Sequence, residues 1–278
     1  MKTGNIKLHC PKCNSKELRK KGFIKPKKNQ VPIRQYYCFD CKARFTANSR
    51  KSTKRQRRPE LNKKIYALYC EGNTLRGMAR LLGCEYNTVV SKFKFIAHIA
   101  RVEHLKALKQ GTFETTFVQI DEMETFEKSL ENPLGIELAI RPKTLEVISA
   151  RVCRIPVKAQ TVSPQVKFEA KEKSNRENIQ NEMCFEIDKV LKSKGTILGD
   201  GSIPRTVRQI FKDKDIQSES CLSAKDSRLW AINHICAKFR HRISRLHRKT
   251  WANTQKLERL QMHLDIFIAC QNKYKLDI

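Results

Sequence analysis

Apolar residues recur every three or four positions from residue 59 to residue 100, which is the spacing of helices that bury one face. The first stretch, ELNKKIYALYCEG, follows Pro59, and two shorter stretches lie on either side of Gly83. The candidate N-terminal caps are Asn73 or Thr74 for the second stretch and Asn87 or Thr88 for the third. The pattern therefore predicts three helices, the last two joined by a tight glycine turn.

The spacing changes near residue 112, where apolar residues begin to cluster as they do in strands. TTFVQIDEMETF predicts one strand, and GIELAIRPKTLEVISARVCRI (135–155) predicts two more around a turn at Arg141-Pro142-Lys143. NIQNEMCFEIDKVL (178–191) predicts a helix, a short strand then ends at Asp200, and Pro204 starts another helix. Strands followed by alternating helix and strand indicate an α/β or α+β sheet domain.

The chain is predicted to close with two amphipathic helices. The first contains INHICAKFRHRISRLHRKTW, in which Asn233, Ala237, Arg240 and Ser244 form a line beside the apolar stripe; that stripe is Ile232, Ile235, Cys236, Phe239, Ile243 and Leu246. The second is expected to pack into the core through Leu257, Leu260, Leu264, Phe267 and Ile268.

Two CxxC pairs stand out in the first fifty residues. They are Cys10 with Cys13 and Cys38 with Cys41, separated by 24 residues. Two such pairs supply the four thiolates of a tetrahedral Zn²⁺ site, and metal binding would stabilise a segment too short for a core of its own. Unrelated cysteine pairs or a redox CxxC are the alternatives. The other seven cysteines occur singly, and we expect them to be buried thiols.

The charge points to a polyanionic partner. Lys and Arg outnumber Asp and Glu by 57 to 28, for a formal net charge of +29, which is far more than solubility requires. Residues 42–64 contain ten cations and one acid, Glu60. Five phosphate contacts there would give log K a slope of about −4.5 against log salt concentration. No apolar run approaches the length of a membrane span and no secretory signal is visible, so we expect a reducing cytoplasm and no membrane association.

The second and third predicted helices match a helix-turn-helix. In that arrangement the early positions of the last helix face the major groove of DNA. The candidate contacts are Glu85, Tyr86, Asn87, Thr88, Ser91 and Lys92. A plain helical bundle that serves as a linker is the alternative.

Asp121 and Asp200 are each expected at the tip of an apolar strand. If the two strands are neighbours in a sheet, the carboxylates lie side by side and repel each other unless a divalent cation binds between them. Hard oxygen ligands select Mg²⁺ or Mn²⁺. Taken singly, Asp121 could begin a loop and Asp200 could be a turn residue.

Together these motifs resemble a bacterial insertion-sequence transposase. The resemblance is carried, in order, by CPKC with QYYCFDC, the helix-turn-helix, IDEMETF, ILGDGS and AINHICAKFRHRISRLHRKTW. The order of modules is similar to insertion-sequence family one, and the last part resembles the RNase H-like DDE fold. The resemblance implies a multidomain chain: a zinc ribbon in 1–50, a basic linker and all-α helix-turn-helix domain in 51–110, and an α/β RNase H-like catalytic domain in 111–278.

The resemblance also implies a catalytic site. DDE enzymes hold two Mg²⁺ or Mn²⁺ ions with three acidic side chains, and Asp121 and Asp200 match the first two. The third position, a Glu with a cation seven residues later, matches Asn233 and Arg240, where the amide brings an oxygen but no charge. The acids that could replace it are Asp226, Glu122 and Glu124, although Asp226 suits a helix cap and Glu122 should point away from Asp121.

These expectations combine into a DNA transposase that binds the terminal inverted repeats of its element and cleaves and joins phosphodiesters with metal ions. Its partners would be double-stranded DNA, as transposon ends and target, and a second copy in a homodimer, at the bacterial nucleoid. The further expected DNA contacts are Arg55, Arg57, Arg58, Arg242, Arg245, Arg248 and Lys249. The alternative is a sequence-specific DNA-binding regulator or an inactive transposase remnant, because the third position lacks a carboxylate.

Overall fold

A computed structural model of the 278-residue chain describes residues 8–24, 32–46, 52–53, 56–157, 163–165, 168–169, 174–200, 204–212, 215–221, 226–247 and 254–278. Its strands are β1 (Leu18–Ile24), β2 (Ile33–Cys38), β3 (Arg44–Thr46), β4 (Thr115–Phe126), β5 (Pro133–Arg141), β6 (Glu146–Arg154), β7 (Leu191–Asp200) and β8 (Gln217–Cys221). Its helices are α1 (Glu60–Cys70), α2 (Leu75–Leu81), α3 (Tyr86–Lys109), α4 (Arg176–Asp188), α5 (Arg205–Phe211), α6 (Trp230–Arg242) and α7 (Leu257–Gln271).

The chain divides into two compact units. The first contains Met1–Pro59 with the last two residues, and the second contains Glu60–Leu276. The first unit is an antiparallel sheet in the order β1-β2-β3, whose small core is formed by Cys10, Cys38 and Phe45. So few apolar side chains give little driving force for folding, and a bound metal would supply what the core lacks.

Helices α1, α2 and α3 open the second unit. Thr74 caps α2 as expected, because its Oγ1 accepts a hydrogen bond from the Gly77 amide at 3.0 Å. Gly83 adopts a left-handed conformation with φ of 56° in the turn that follows. The predicted cap of the third helix was wrong. The Glu85 carbonyl already accepts from the Thr88 amide, so α3 begins at Tyr86, two residues earlier than the expected caps allow.

A five-stranded mixed sheet forms the centre of the second unit, in the order β6-β5-β4-β7-β8. Strand β4 pairs antiparallel with β5 and parallel with β7, and β7 pairs parallel with β8. Side chains alternate between the two faces of the sheet. One face packs on α6 and α7, and the other packs on α4 and α5. The chain therefore has mixed α and β content with a separate small sheet, which is the coarser part of the expected fold class.

Helix α7 has the expected core role, since Leu260, Leu264, Phe267 and Ile268 are all buried against the sheet. Helix α6 is shorter than the amphipathic stripe indicated. Ile243 has an extended backbone, with φ of −98° and ψ of 100°, and the next three residues form a separate 3₁₀ turn. Ile243 and Leu246 nevertheless remain buried, so the apolar spacing continued although the helix itself ended at Arg242.

A buried polar network joins the first helices to the sheet domain. The Tyr69 hydroxyl donates to the His263 carbonyl at 2.8 Å, so His263 Nδ1 must donate to that hydroxyl, 3.2 Å away. His263 Nε2 is then free of a proton and accepts from Arg245 Nε at 3.1 Å. The network fixes a neutral imidazole. Among the described residues, no helix combines the length and apolar character needed to cross a membrane.

Candidate functional site

Asp121 and Asp200 occupy adjoining positions on neighbouring parallel strands. The last pair in the β4–β7 ladder is Ile120 with Gly199, and the two aspartates are the next residue of each strand. Adjacent strands lie about 4.8 Å apart, and residues in register point to the same face. Both carboxylates therefore lie on the face of the sheet that packs on α6, which agrees with the side-by-side arrangement that the sequence predicted.

The expectation that Asp121 ends its strand was wrong. Strand β4 continues to Phe126 because its antiparallel ladder with β5 runs on to the Phe126–Pro133 pair. What ends just before Asp121, at Ile120, is only the parallel pairing with β7. Among the described residues, no strand pairs with the rest of β4 on that side, and a cavity borders the two carboxylates there.

The surroundings of Asp121 disfavour its charge. Burial raises the pKa of the Asp121 carboxyl above its ordinary value, and the nearby charge of Asp200 raises it further. Three groups oppose that rise: the Glu122 amide, which donates to Asp121 Oδ1 at 2.7 Å, the Cys236 thiol, and the positive charge of Arg240. Two neighbouring carboxylates are the arrangement that a divalent cation would stabilise.

Helix α6 crosses this face and is attached to β4 two residues before Asp121. The buried Gln119 side chain accepts a hydrogen bond from the Ile232 amide at 3.1 Å and donates to the Arg228 carbonyl. One turn further, Cys236 Sγ lies 3.8 Å from Asp121 Oδ2. The side of α6 nearest Asp121 is thus formed by Cys236 and Arg240, and the thiol was not among the expected site residues.

Asn233 lies one helical turn before Cys236 and is exposed. Its side chain leans toward the start of the helix, as helical side chains do, and hence toward the level of Gln119. The structure places it on the same helix line as Arg240, as the sequence indicated. Among the described residues, the direct contacts of the Asp121 carboxylate come from Glu122 and Cys236.

The opposite face of β4 carries a second polar cluster. Glu122 points away from Asp121, as expected, and pairs with Arg176, which also donates to Glu137 Oε1 at 3.1 Å. Burial raises the pKa of the Glu137 carboxyl, and the charge of Glu122 adds to that increase. A cavity of about 210 Å³ opens at the strand edge and is bordered by residues of both clusters, Asp121, Glu122, Glu137, Arg176 and Asp200 among them.

Arg176 and Glu137 were missed in the sequence because neither carries a motif. Glu137 is the one acid within the otherwise apolar run of β5, and that position could have marked it as a buried, paired carboxylate.

The four cysteines of the first unit converge on one point. Cys10 Sγ lies 3.4 Å from Cys41 Sγ, Cys13 Sγ lies 3.5 Å from Cys38 Sγ, and all four sulfurs are within 4.8 Å of one another. In a tetrahedral site with Zn–S bonds of about 2.3 Å the sulfurs are about 3.8 Å apart, so this cluster could hold a metal such as zinc.

The two cysteine pairs share one backbone conformation. The Cys10 amide donates to the Ser15 carbonyl and the Cys38 amide donates to the Ala43 carbonyl, each five residues along the chain. The residue after each pair, Asn14 or Lys42, has a left-handed φ near 60°. Two matching turns that aim their sulfurs at one centre agree with the ligand set that the spacing predicted.

The start of α3 presents part of the expected groove surface. Tyr86, Asn87 and Ser91 are exposed and Thr88 is half-buried. Lys92 is only 7% exposed, so its placement among the groove contacts was wrong. The reason is visible in the helical spacing: position 92 falls on the buried stripe with Val89, Phe93 and Ile96, whereas Lys94 continues the exposed line.

The structure places the other basic residues that were expected to contact DNA in different surroundings. Arg57 and Arg58 are exposed. Arg242 donates to Cys270 Sγ at 3.8 Å and Arg245 donates to His263 Nε2, so both side chains turn toward α7, and this placement does not support them as phosphate contacts. The remaining expected contacts lie outside the described residues: Arg55, Arg248 and Lys249.

No protein-family model matches the chain, and no curated protein matches it. Among the described residues, groups of three or more potential metal ligands occur at the four cysteines and at Glu122, Glu137 and Cys153. Asp121 and Asp200 supply two carboxylates.

Proposed function

We propose that this protein is a DNA transposase of the DDE type, with an RNase H-like catalytic domain and a helix-turn-helix in the second unit and a zinc ribbon in the first. The observation that carries the proposal is the adjacency of Asp121 and Asp200 on one face of a mixed sheet. The surplus of cations, which gives a net charge of +29, supports a nucleic acid as the substrate.

The residues at the site divide the work. Asp121 and Asp200 would hold a Mg²⁺ or Mn²⁺ ion, which when bound supplies Lewis-acid activation of a phosphodiester and of the attacking hydroxyl. Arg240, whose charge already acts on Asp121, is placed to attract the phosphate of the strand. Asn233 offers a neutral carbonyl oxygen one helical turn before Cys236. The described residues supply two carboxylates to this site. We propose a second ion there because the chain resembles DDE enzymes, which hold two.

The DNA-binding modules would select the substrate. The exposed start of α3, with Tyr86, Asn87 and Ser91, suits major-groove readout. Arg57 and Arg58, which are exposed in the first unit, suit contacts with phosphates. The cysteine cluster would hold zinc as a structural ion, because four thiolates form a closed tetrahedral site with no open position for chemistry. A homodimer acting on paired transposon ends, at the bacterial nucleoid, completes the proposal.

The test uses a supercoiled plasmid that carries the coding sequence with its flanking DNA. The wild-type protein should nick it in the presence of Mg²⁺, and Asp200→Asn should lower the nicking rate by at least about 100-fold, because the amide removes one of the two charges that hold the ion. Asp215→Asn is the matched control, since Asp215 is an exposed aspartate outside the site. Full nicking by Asp200→Asn would refute the proposal.

A DNA-binding regulator without catalytic activity is the second candidate. The observation that favours it is the exposed amide of Asn233 where the resemblance implies a carboxylate. This candidate requires that the wild-type protein bind its flanking DNA while Mg²⁺ and Mn²⁺ produce no cleavage above the Asp200→Asn background. Metal-dependent nicking by the wild type would exclude it.

A further inference from the structure

A cavity of about 740 Å³ opens on the same side of the sheet as Asp121, toward the beginning of β4. Phe117 forms part of its wall. The side chains of Phe117, Gln119 and Asp121 point to the same face of the strand, because they lie two residues apart. Two short segments border it. One is the β5–β6 turn with Arg141 and Lys143, and the other is the 3₁₀ turn that leads into α6.

The border beside α6 is held firmly. Gln119, at 1% exposure, is hydrogen-bonded to the backbone on both sides of Trp230, through the Arg228 carbonyl and the Ile232 amide. Asp226 caps the 3₁₀ turn by accepting from the Arg228 amide at 2.9 Å. The backbone beneath Trp230 is therefore ordered before any ligand arrives, which lowers the entropic cost of binding at this position.

Trp230 is exposed to an unusual degree for its size. It is the first residue of α6 and retains 60% of its accessible surface. The centroid of its ring lies 6.2 Å from the centroid of the His234 ring. A large indole that borders a cavity and is left in solvent is typical of a surface that stacks on a flat partner.

Cations surround this indole. Arg141, Lys143, Lys192 and Arg228 all line the cavity, against one lining acid, Glu114. Lys143 forms no ion pair with any residue that the structure describes. Arg141 pairs with Glu146, Arg228 pairs with Asp226 and Glu219, and Lys192 pairs with Glu114; the Lys192–Glu114 and Arg228–Glu219 pairs are well exposed. Exposed pairs of this kind contribute little stability, so phosphate groups can compete for the cations.

The combination of an exposed indole and surrounding cations is selective. An apolar peptide would gain nothing from the cations, and the phosphates of a duplex alone would gain nothing from the indole. A nucleotide that is not base-paired satisfies both, because its base stacks on the ring while its phosphate contacts a cation.

The cavity and the proposed catalytic site lie along the same strand, β4. Phe117 precedes Asp121 by four residues on the same strand, a separation of about 13 Å at 3.3 Å per residue. About four stacked nucleotides of one DNA strand span that distance, and fewer do so if the strand is unstacked. A strand whose phosphodiester lies at Asp121 and Asp200 thus reaches the cavity within a few nucleotides.

We propose that this cavity receives an unpaired nucleotide of the DNA strand that is cut at Asp121 and Asp200, with its base stacked on Trp230 and its phosphate on Lys143 or Arg228. The inference rests on the proposed function, which it deepens: the substrate would be a DNA end opened by a few base pairs, and Trp230 would be its binding residue.

Fluorescence gives a direct readout, because the chain contains two tryptophans and Trp251→Phe leaves Trp230 as the only one. The probes are a blunt 30-base-pair duplex and the same duplex with a four-thymidine single-stranded extension. Stacking should quench Trp230 on binding of the extended probe, and the blunt probe should produce less than half of that quenching. Equal quenching by the two probes would overturn the assignment.

Affinity measurements separate stacking from charge. Trp230→Ala should weaken binding of the extended probe about 10-fold and leave the blunt probe within about 2-fold, and Trp230→Phe should restore most of the loss. Phe185→Ala is the matched control, since Phe185 is an equally exposed aromatic on the other side of the sheet. Lys143→Ala should lower affinity for the extended probe and reduce its salt dependence.

The two proposals fail in different ways. If the wild-type protein nicks its plasmid with Mg²⁺ but binds blunt and extended duplexes equally, the cavity assignment is wrong and the transposase proposal stands. If it binds neither duplex and does not nick the plasmid, both are wrong. Equal weakening of both probes by Trp230→Ala would also overturn the cavity assignment, because it would make Trp230 a general duplex contact.

Discussion

Cys236 Sγ lies 3.8 Å from Asp121 Oδ2, so a thiol on α6 borders the carboxylate pair at the centre of the proposed site. Burial raises the pKa of this thiol to about 12, and the charge of Asp121 contributes to the increase, which keeps the sulfur protonated at neutral pH. A hard ion such as Mg²⁺ gains nothing from it, but a soft ion would gain a strong ligand beside two oxygen donors.

Cadmium should therefore inhibit Mg²⁺-dependent nicking at a lower concentration than that of a hard competitor such as Ca²⁺. In Cys236→Ala the inhibitory Cd²⁺ concentration should rise by about 10-fold or more, because the soft ligand is gone. The matched control is Cys184→Ala, which removes a buried thiol from the other face of the sheet. Equal sensitivity of the wild type and Cys236→Ala would show that the thiol does not reach the ion.

Asn233→Glu tests the position where the amide stands. A third negative charge within one helical turn of Cys236 should lower the Mg²⁺ concentration for half-maximal nicking several-fold. Asn233→Gln adds the same length without the charge and serves as the control. Identical Mg²⁺ titrations for the two variants would place residue 233 outside the ion site. An inactive wild type with an active Asn233→Glu variant would identify a decayed enzyme.

Metal content tests the cysteine cluster. The wild-type protein should contain about one zinc per chain, whereas Cys13→Ser should lose it, since three thiolates do not close the tetrahedral site. Cys84→Ser is the control because Cys84 lies in the second unit, outside the cluster. Removal of zinc should unfold the small sheet and leave the main thermal transition of the second unit unchanged. Zinc retained in full by Cys13→Ser would contradict the assignment.

Lys94 and Lys92 make a matched pair for the helix-turn-helix. Lys94→Ala should weaken duplex binding and reduce the slope of log K against log salt by about 0.9, which is the value for one phosphate contact. Lys92→Ala should leave that slope unchanged, because Lys92 is buried against the apolar stripe of α3. A larger slope change in Lys92→Ala than in Lys94→Ala would reverse the assignment of the two faces.

His263 should make the protein less stable in mild acid. Burial lowers the pKa of His263 well below its ordinary value, and the Arg245 charge lowers it further. Below about pH 6.5 the unfolded chain therefore binds a proton that the folded chain excludes, and the free energy of unfolding falls by up to about 2 kcal/mol between pH 6.5 and 5.

The measurement is the difference in unfolding free energy between the wild type and His263→Gln at each pH. Burial raises the pKa of Asp265 to about 7, which contributes the opposite pH dependence in the same window, and the subtraction cancels that contribution. The wild type should lose stability relative to His263→Gln as the pH falls. A difference that does not change with pH would mean that His263 is protonated in the folded state.

Short-range patterns predicted the elements well. The spacing of the four cysteines indicated their convergence, because each CxxC turn is local and needs two backbone hydrogen bonds at most. The apolar period indicated α1, α2, α3 and α7, since a helix that buries one face must repeat every 3.6 residues. The same period contained the correct assignment of Lys92, whose place three residues after Val89 marks it as buried.

Long-range pairing decided the rest. Apolar spacing continues from Phe239 to Leu246, so the end of α6 at Arg242 could not be read from it. The side chains at that end contact a distant segment, since Arg242 and Arg245 donate to residues of α7. In the same way, Asp121 lies in the middle of β4 because the pairing with β5 continues beyond it. The sequence of one strand does not show how far its partner strands extend.

The sequence by itself determined which chemistry is available: four thiols at metal-ligand spacing, two aspartates after apolar stretches, and a large surplus of cations. Only the tertiary structure decided which groups meet. The parallel register of β4 and β7 brings Asp121 next to Asp200. The hydrogen bonds of Gln119 position α6 so that Cys236 contacts Asp121 and Trp230 lines the cavity. The physical reason is that spacing along a chain is a local property, whereas register is set by the packing of distant segments.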